Sequence, residues 1–190
     1  MTKKSSKQLL AEAVVELAKT KPVDKITIRE IVETAGLSTQ TFYNHFADRD
    51  ALLLFVHTSL LDDLIVRLYR DENYGLRGLI HDYLYYYFDN DNKDFMLNVF
   101  INTFGENNHL VAFSTYATEQ TKKYLCHLMN VDELPEDLAF YVQTYVFSQA
   151  YIYVHWAMED SKIPLDRREE YLIRATPMPL IPYFFPNENL

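Results

Sequence analysis

Thr39, Gln40, Tyr43 and Asn44 are hydrogen-bonding side chains placed so that one face of a short helix can carry all four. Their chemistry suits the edge of a nucleic-acid base: Gln and Asn can pair bidentately with adenine, and a Thr methyl can touch the thymine methyl. Tyr43 and His45 suit phosphate contacts, which position a protein without reading sequence. These residues belong to a segment, 26–50, whose other positions have the types needed to hold such a helix out to solvent.

The segment encodes two short helices broken at Ala35-Gly36-Leu37, with a longer helix starting after Phe46. Thr27 and Glu30 form a Thr-x-x-Glu capping box. Ile28, Ile31, Val32 and Ala35 follow at helical spacing, giving one apolar face. Gly36 ends that helix because glycine accepts the left-handed conformation of a tight turn, and Leu37 is expected to plug the turn into the core. Ser38 is the next N-cap, and the new helix should run to Asn44 or His45. Phe42 and Phe46, four apart, face inward together. Asp48 caps the third helix and leaves Arg49 in its first turn, where a cation gains nothing from the helix dipole. Two readings stay open for Arg49: a phosphate partner, or an ordinary solvated side chain. By periodicity alone the whole segment is equally readable as a helix–turn–helix that presents a helix to the DNA major groove or as a structural helix pair.

Residues 5–55 strongly resemble the N-terminal domain of the TetR family of bacterial transcription regulators. The resemblance is carried by Thr-Ile-x-x-Ile-Val-x-x-Ala-Gly-Leu-Ser at 27–38, by Thr41-Phe42-Tyr43, by His45-Phe46 and by Leu52-Leu53. Two positions depart from the family pattern. Gln40 stands where Gly is frequent, adding a side chain that could read a base edge. Arg49 stands where Lys is usual, keeping the charge but bringing a planar fork. The resemblance implies an all-α homodimer. An N-terminal three-helix helix–turn–helix DNA-binding domain, residues 1–47, would be followed by a larger helical ligand-binding and dimerisation domain, residues 48–190. The implied DNA-contacting set is Lys4, Thr27, Ser38, Thr39, Gln40, Thr41, Tyr43, Asn44, His45 and Arg49. The run from Ser38 to Phe46 with the following helix also resembles TetR-like activators of dihydroxyacetone kinase operons, which leaves open an activator or a regulator controlled by a protein partner. A scaffold without DNA binding is a third possibility.

The net charge of −9 over 190 residues looks wrong for a DNA binder until it is divided along the chain. Residues 1–50 hold eight Lys/Arg and seven Asp/Glu; the remainder holds ten and twenty. An acidic body would therefore be held away from the phosphates while Lys3, Lys4 and Lys7 face them, and binding should be salt-sensitive. No apolar run is long enough to span a membrane. The chain opens without a secretory hydrophobic stretch, and its single cysteine, Cys126, has no internal partner. Both suit a cytoplasmic protein.

Beyond the segment, helices are expected at 5–20, 48–70, 76–89, 93–104, 109–129, 135–160 and 166–175. The prolines after Thr176 are expected to prevent any helix there. Of 28 aromatic residues only three lie in the first fifty. The rest either fill a core or line a cavity for a small effector; the cavity candidates are Tyr83, Tyr87, Phe100, Phe104, Phe113, Tyr116 and Tyr145. The helix at 135–160 is apolar nearly all round, so its second face needs a partner. The simplest partner is the same helix across a two-fold axis, with Tyr141, Ile152 and Trp156 at the interface and residues 166–175 alongside. The six histidines are scattered without metal-ligand spacing. There is no phosphate-binding glycine loop and no nucleophile elbow. No enzyme and no cofactor are expected; the expected partners are operator DNA, a second copy of the chain, and an effector or protein partner.

Overall fold

The computed structural model describes residues 4–71, 73–88, 93–103, 109–159 and 161–186. Its described residues are helical, with no strand among them. In chain order the helices are α1 (Ser6–Ala18), α2 (Ile28–Ala35), α3 (Thr39–Tyr43), α4 (Arg49–Arg70), α5 (Gly75–Phe88), α6 (Lys93–Asn102), α7 (His109–Met129), α8 (Glu136–Met158), α9 (Leu165–Arg174) and α10 (Ile181–Phe184), with 3-10 turns at Val23–Lys25 and Met178–Leu180. None is long and apolar enough to cross a membrane.

The first three helices form where the sequence places their caps. Ser5 accepts from the Gln8 N–H, and the Gln8 side chain accepts the Ser5 N–H in return. Thr27 and Glu30 make the same reciprocal pair for α2. Gly36 closes α2 at φ 66°, in the left-handed region, which a residue with a Cβ reaches only at a cost. The apolar faces of α1 and α2 meet over Leu10, Val14 and Ile31, all fully buried. Leu52 and Leu53, also fully buried, carry this small core onto α4.

Around α4 the chain builds a second layer in which α7 packs against both α4 and α8, and α5 against α4 and α9. Asn98 of α6 joins the two parts, and every hydrogen-bonding group of its amide is used. Its Nδ2 donates to the carbonyls of Ala18 and Lys21, each at 2.8 Å. Its Oδ1 accepts from the Val23 N–H at 3.0 Å and from Asn102 Nδ2 at 2.8 Å. Nothing in the spacing of α6 announces this role.

The tail corrects the sequence-based expectation. Its prolines permit a 3-10 turn and then the four-residue α10, because Pro177 precedes the turn and Pro182 sits in the first turn of α10, where no intrahelical N–H is lost. Leu180, Phe184 and Phe185 are driven inward, each at most 4% exposed, so the tail belongs to the core.

Removing the Asn98 amide strands two carbonyls and one N–H between the two parts. Asn98→Ala is expected to lower stability by about 1–3 kcal/mol, measured as a fall in the urea midpoint at constant slope. An unchanged midpoint would show that Asn98 does not hold the joint.

Candidate nucleic-acid interface and effector cavity

A five-residue helix is too short to hold itself together in water, so α3 depends on its neighbours. Ser38 accepts the Thr41 N–H at 3.1 Å and capping begins the helix. Phe42 is completely buried, and its ring meets Phe46 at 5.8 Å and Tyr43 edge-on at 5.5 Å. Phe46 continues to Phe55 of α4 at 5.3 Å. Lys7 of α1 lies 5.3 Å from the Phe55 ring centroid and 5.8 Å from that of Phe46, a cation–π arrangement over the same junction.

With Phe42 inward, the opposite face of α3 is in solvent. Thr39, Gln40, Tyr43, Asn44 and His45 are exposed, Tyr43 at 55%. Gln40 Nε2 donates to Asn44 Oδ1 at 3.0 Å, so the two amides are held side by side. Both residues are exposed, and their remaining amide hydrogens and the Gln40 oxygen make no other hydrogen bond with a described residue. The other expected residues divide by what their polar atoms already do. Thr27 is exposed, but its hydroxyl serves Glu30 in both directions. Ser38 and Thr41 share a 2.9 Å hydroxyl contact. Lys4 is exposed and paired with Glu12 at 2.6 Å; Lys3 lies outside the described residues.

Arg49 departs from the sequence-based expectation. Its Nη1 donates to the carbonyls of Asp24 at 2.8 Å and Ile26 at 3.1 Å, and Nη2 lies 3.4 Å from Asp50. The guanidinium thus turns back from α4 onto the 3-10 turn before α2 instead of waiting for a phosphate, because two carbonyls at the end of that turn take its donors. Both carbonyl contacts come from the one nitrogen Nη1, which leaves Nη2 for Asp50.

A separate cavity of about 100 Å³ lies among α4, α5, α7, α8 and α10. Of the candidate residues, Tyr83, Phe113 and Tyr145 line it, together with Tyr124, Tyr153 and Phe184. Phe184 lies in α10, in the tail where the prolines predict no helix. Three other candidates do not line it. Tyr87 and Phe100 are buried rings stacked 6.0 Å apart beside His57, and Tyr116 donates its hydroxyl to Asp62 between α4 and α7. Phe104 lies outside the described residues. Trp156 is corrected as well. It is 7% exposed within its own chain, with the Arg168 guanidinium 5.5 Å from its ring, so it does not lie on a free face of α8. Tyr141 and Ile152 are half-buried. The open apolar positions of α8 are Phe140, Tyr151 and Met158, each more than half exposed.

Between the cavity and α3 lies a buried polar chain that the scattered histidines of the sequence do not reveal. His57 Nδ1 is 3.0 Å from His109 Nε2. His57 Nε2 meets the hydroxyls of Tyr83, at 2.9 Å, and Tyr87, which are themselves 3.0 Å apart. Each group can donate to one neighbour and accept from another, for example with Tyr83 donating to Tyr87, Tyr87 to His57, and His57 to His109. Phe113 stacks on His57 with ring centroids 3.5 Å apart. All four groups are neutral, since burial pushes both phenols up and His57 down. Burial likewise pushes His109 down to about 4, against the opposing charge of Asp50. His81 and His155 are surface residues paired with Glu169 and Glu159. Among the described residues no three His, Cys, Asp or Glu side chains converge as a metal site.

Residues 9–56 match the model of "Bacterial regulatory proteins, tetR family". An uncharacterized HTH-type transcriptional regulator of Bacillus subtilis strain 168, YvdT, is 35% identical over 71 residues. That match covers 34% of this chain and 36% of YvdT, so it spans little more than a third of its relative's length. The dihydroxyacetone kinase operon activator DhaS shares the fold, with a TM-score of 0.60 at 19% identity over 89% of this chain and 92% of that one. The fatty acid degradation regulator FadR from Bacillus halodurans follows at a TM-score of 0.49 and 14% identity, over 90% of this chain and 94% of that one.

The buried histidines make stability depend on pH in a defined window. An unfolded His109 protonates near 6.5 and the folded one only near 4, so protons favour the unfolded chain and stability falls as pH drops from 6.5 towards 4. The loss from His109 alone is about 3 kcal/mol over the full window. His109→Gln is expected to flatten the fall in urea midpoint between pH 6.5 and 5; the same slope in both proteins would contradict a buried neutral His109.

Proposed function

We propose that the chain, whose residues 9–56 match the model of the tetR family of bacterial regulatory proteins, is a DNA-binding transcription regulator of that family. It works as a homodimeric repressor on a palindromic operator and is released by a small-molecule effector. The observation that carries the reading is the outward face of α3, where Gln40 and Asn44 are joined at 3.0 Å beside Tyr43 and Thr39. Gln40 and Asn44 read base edges; Tyr43, His45 and Lys4 hold phosphates, with the N-termini of α2 and α3, at Thr27 and Ser38, turned to the backbone.

Two such helices read adjacent major-groove turns only if a dimer sets them about 34–36 Å apart. The apolar stripe of α8, with Phe140 and Tyr151 exposed and Tyr141 and Ile152 half-buried beside them, supplies the two-fold contact. The cavity against α4 supplies the control: an effector that prefers another spacing of the α3 helices lowers operator affinity through its differential binding to the two states. α4 carries the change because Phe55, in its second turn, supports Phe46 just after α3, while its middle places Leu61 on the cavity wall and bonds His57 to Tyr83, which also lines it.

Gln40→Ala is expected to weaken operator binding roughly tenfold and to relax preference at one base pair of each half-site. Tyr43→Ala should weaken binding evenly across sequences. Fluorescence anisotropy with labelled duplexes reads both. Folded variants that bind as tightly as the unsubstituted chain would refute α3 as the reading helix and favour a scaffold without DNA binding.

A further inference from the structure

We propose that the cavity among α4, α5, α7 and α8 takes an uncharged ligand no larger than a single six-membered ring, held by one hydrogen bond to the Tyr153 hydroxyl; this rests on the effector reading above. The size follows from the volume. The cavity measures about 100 Å³, and an apolar protein cavity of about 150 Å³ takes up benzene. One ring, admitted by small side-chain shifts, therefore fills it.

The charge follows from the wall. Among the described residues the lining contains no Asp, Glu, Lys, Arg or His. An ion entering it would lose its water with no counter-charge to replace it, a cost that far exceeds what packing one ring returns. The wall's phenols are kept neutral by burial, Tyr145 being pushed up to about 12, so no phenolate balances a cation.

The hydrogen bond follows from what the wall's buried hydroxyls already do. Of three buried tyrosines, Tyr83 is tied to Tyr87 and His57. Tyr145 donates to the Leu172 carbonyl at 3.4 Å and accepts from Thr176 at 3.1 Å. Tyr153 is 5% exposed and its hydroxyl has no hydrogen bond with another described residue. Left without a protein partner on the cavity wall, this hydroxyl is available to a ligand that offers it an acceptor or donor. Gln149 reinforces the selection by anchoring its amide N–H on the Leu172 carbonyl at 3.1 Å, which fixes the wall without adding charge.

The test is calorimetric titration of the full chain with phenol, toluene, benzoate and benzylammonium at pH 7. Phenol is expected to bind more tightly than toluene, and both charged rings to bind at least tenfold more weakly than phenol. In Tyr153→Phe, phenol should lose roughly 3- to 10-fold in affinity while toluene is unchanged. Benzoate or benzylammonium binding as tightly as phenol, no binding of either neutral ring, or phenol binding unaffected in Tyr153→Phe would each overturn the proposal. The comparison among ligands needs no variant, so a poorly folded Tyr153→Phe leaves it decisive. Operator binding measured on the same preparation separates the two readings. A chain that binds operator but no neutral ring refutes only the ligand class, and one that binds phenol but no DNA refutes only the regulator.

Discussion

The burial of Phe42 is the constraint on which the outward face of α3 depends. α3 has five residues, too few for its own hydrogen bonds to outweigh the cost of nucleating a helix. Its existence and its rotation about its own axis are both set from outside, by one ring at 0% exposure and by the hydroxyl of Ser38 at its start. Because helical geometry ties neighbours together, fixing Phe42 inward fixes Gln40, Tyr43 and Asn44 outward. Phe46 and Phe55 then fasten that orientation to the long α4, so the angle of the outward face is inherited from the larger layer of helices.

That inheritance gives the second layer its mechanical meaning. α4 is held by apolar contact along most of its length, but at His57 it is held by directed hydrogen bonds to α5 and α7. Such a network has few alternative arrangements, since each donor left unpaired in a dry interior is costly. Tyr83 belongs both to this network and to the cavity wall, and Asn98 ties α6 back to the turn before α2. A change in the wall therefore meets stiff polar connections on its way to α3 instead of a compliant core.

Much of this was legible in the residues, and what was not shares a physical cause. The caps at Thr27, Ser38 and Asp48 and the left-handed turn at Gly36 depend on neighbours within four positions, and all four stand where local chemistry puts them. α7 likewise keeps its expected span, 109–129. Features that join distant segments were hidden. Arg49 finds the carbonyls of Asp24 and Ile26 some 23 to 25 positions back, His57 finds His109 across 52, and Asn98 finds Ala18 across 80. The tail differs from expectation for a related reason: proline rules speak against long helices, whereas Leu180, Phe184 and Phe185 need only a turn to reach the core. Among the cavity rings, composition marked an aromatic domain but could not sort Tyr83, Tyr145 and Tyr153, on the wall, from Tyr87 and Phe100, which pack beside His57.

The central claim, that α3 is presented to read DNA in pairs, is tested most directly by selecting the purified chain on a pool of random DNA duplexes at low salt and sequencing what is retained. The account predicts enrichment of a palindrome whose half-sites lie about one helical turn apart. A folded dimer that enriches no sequence would contradict it.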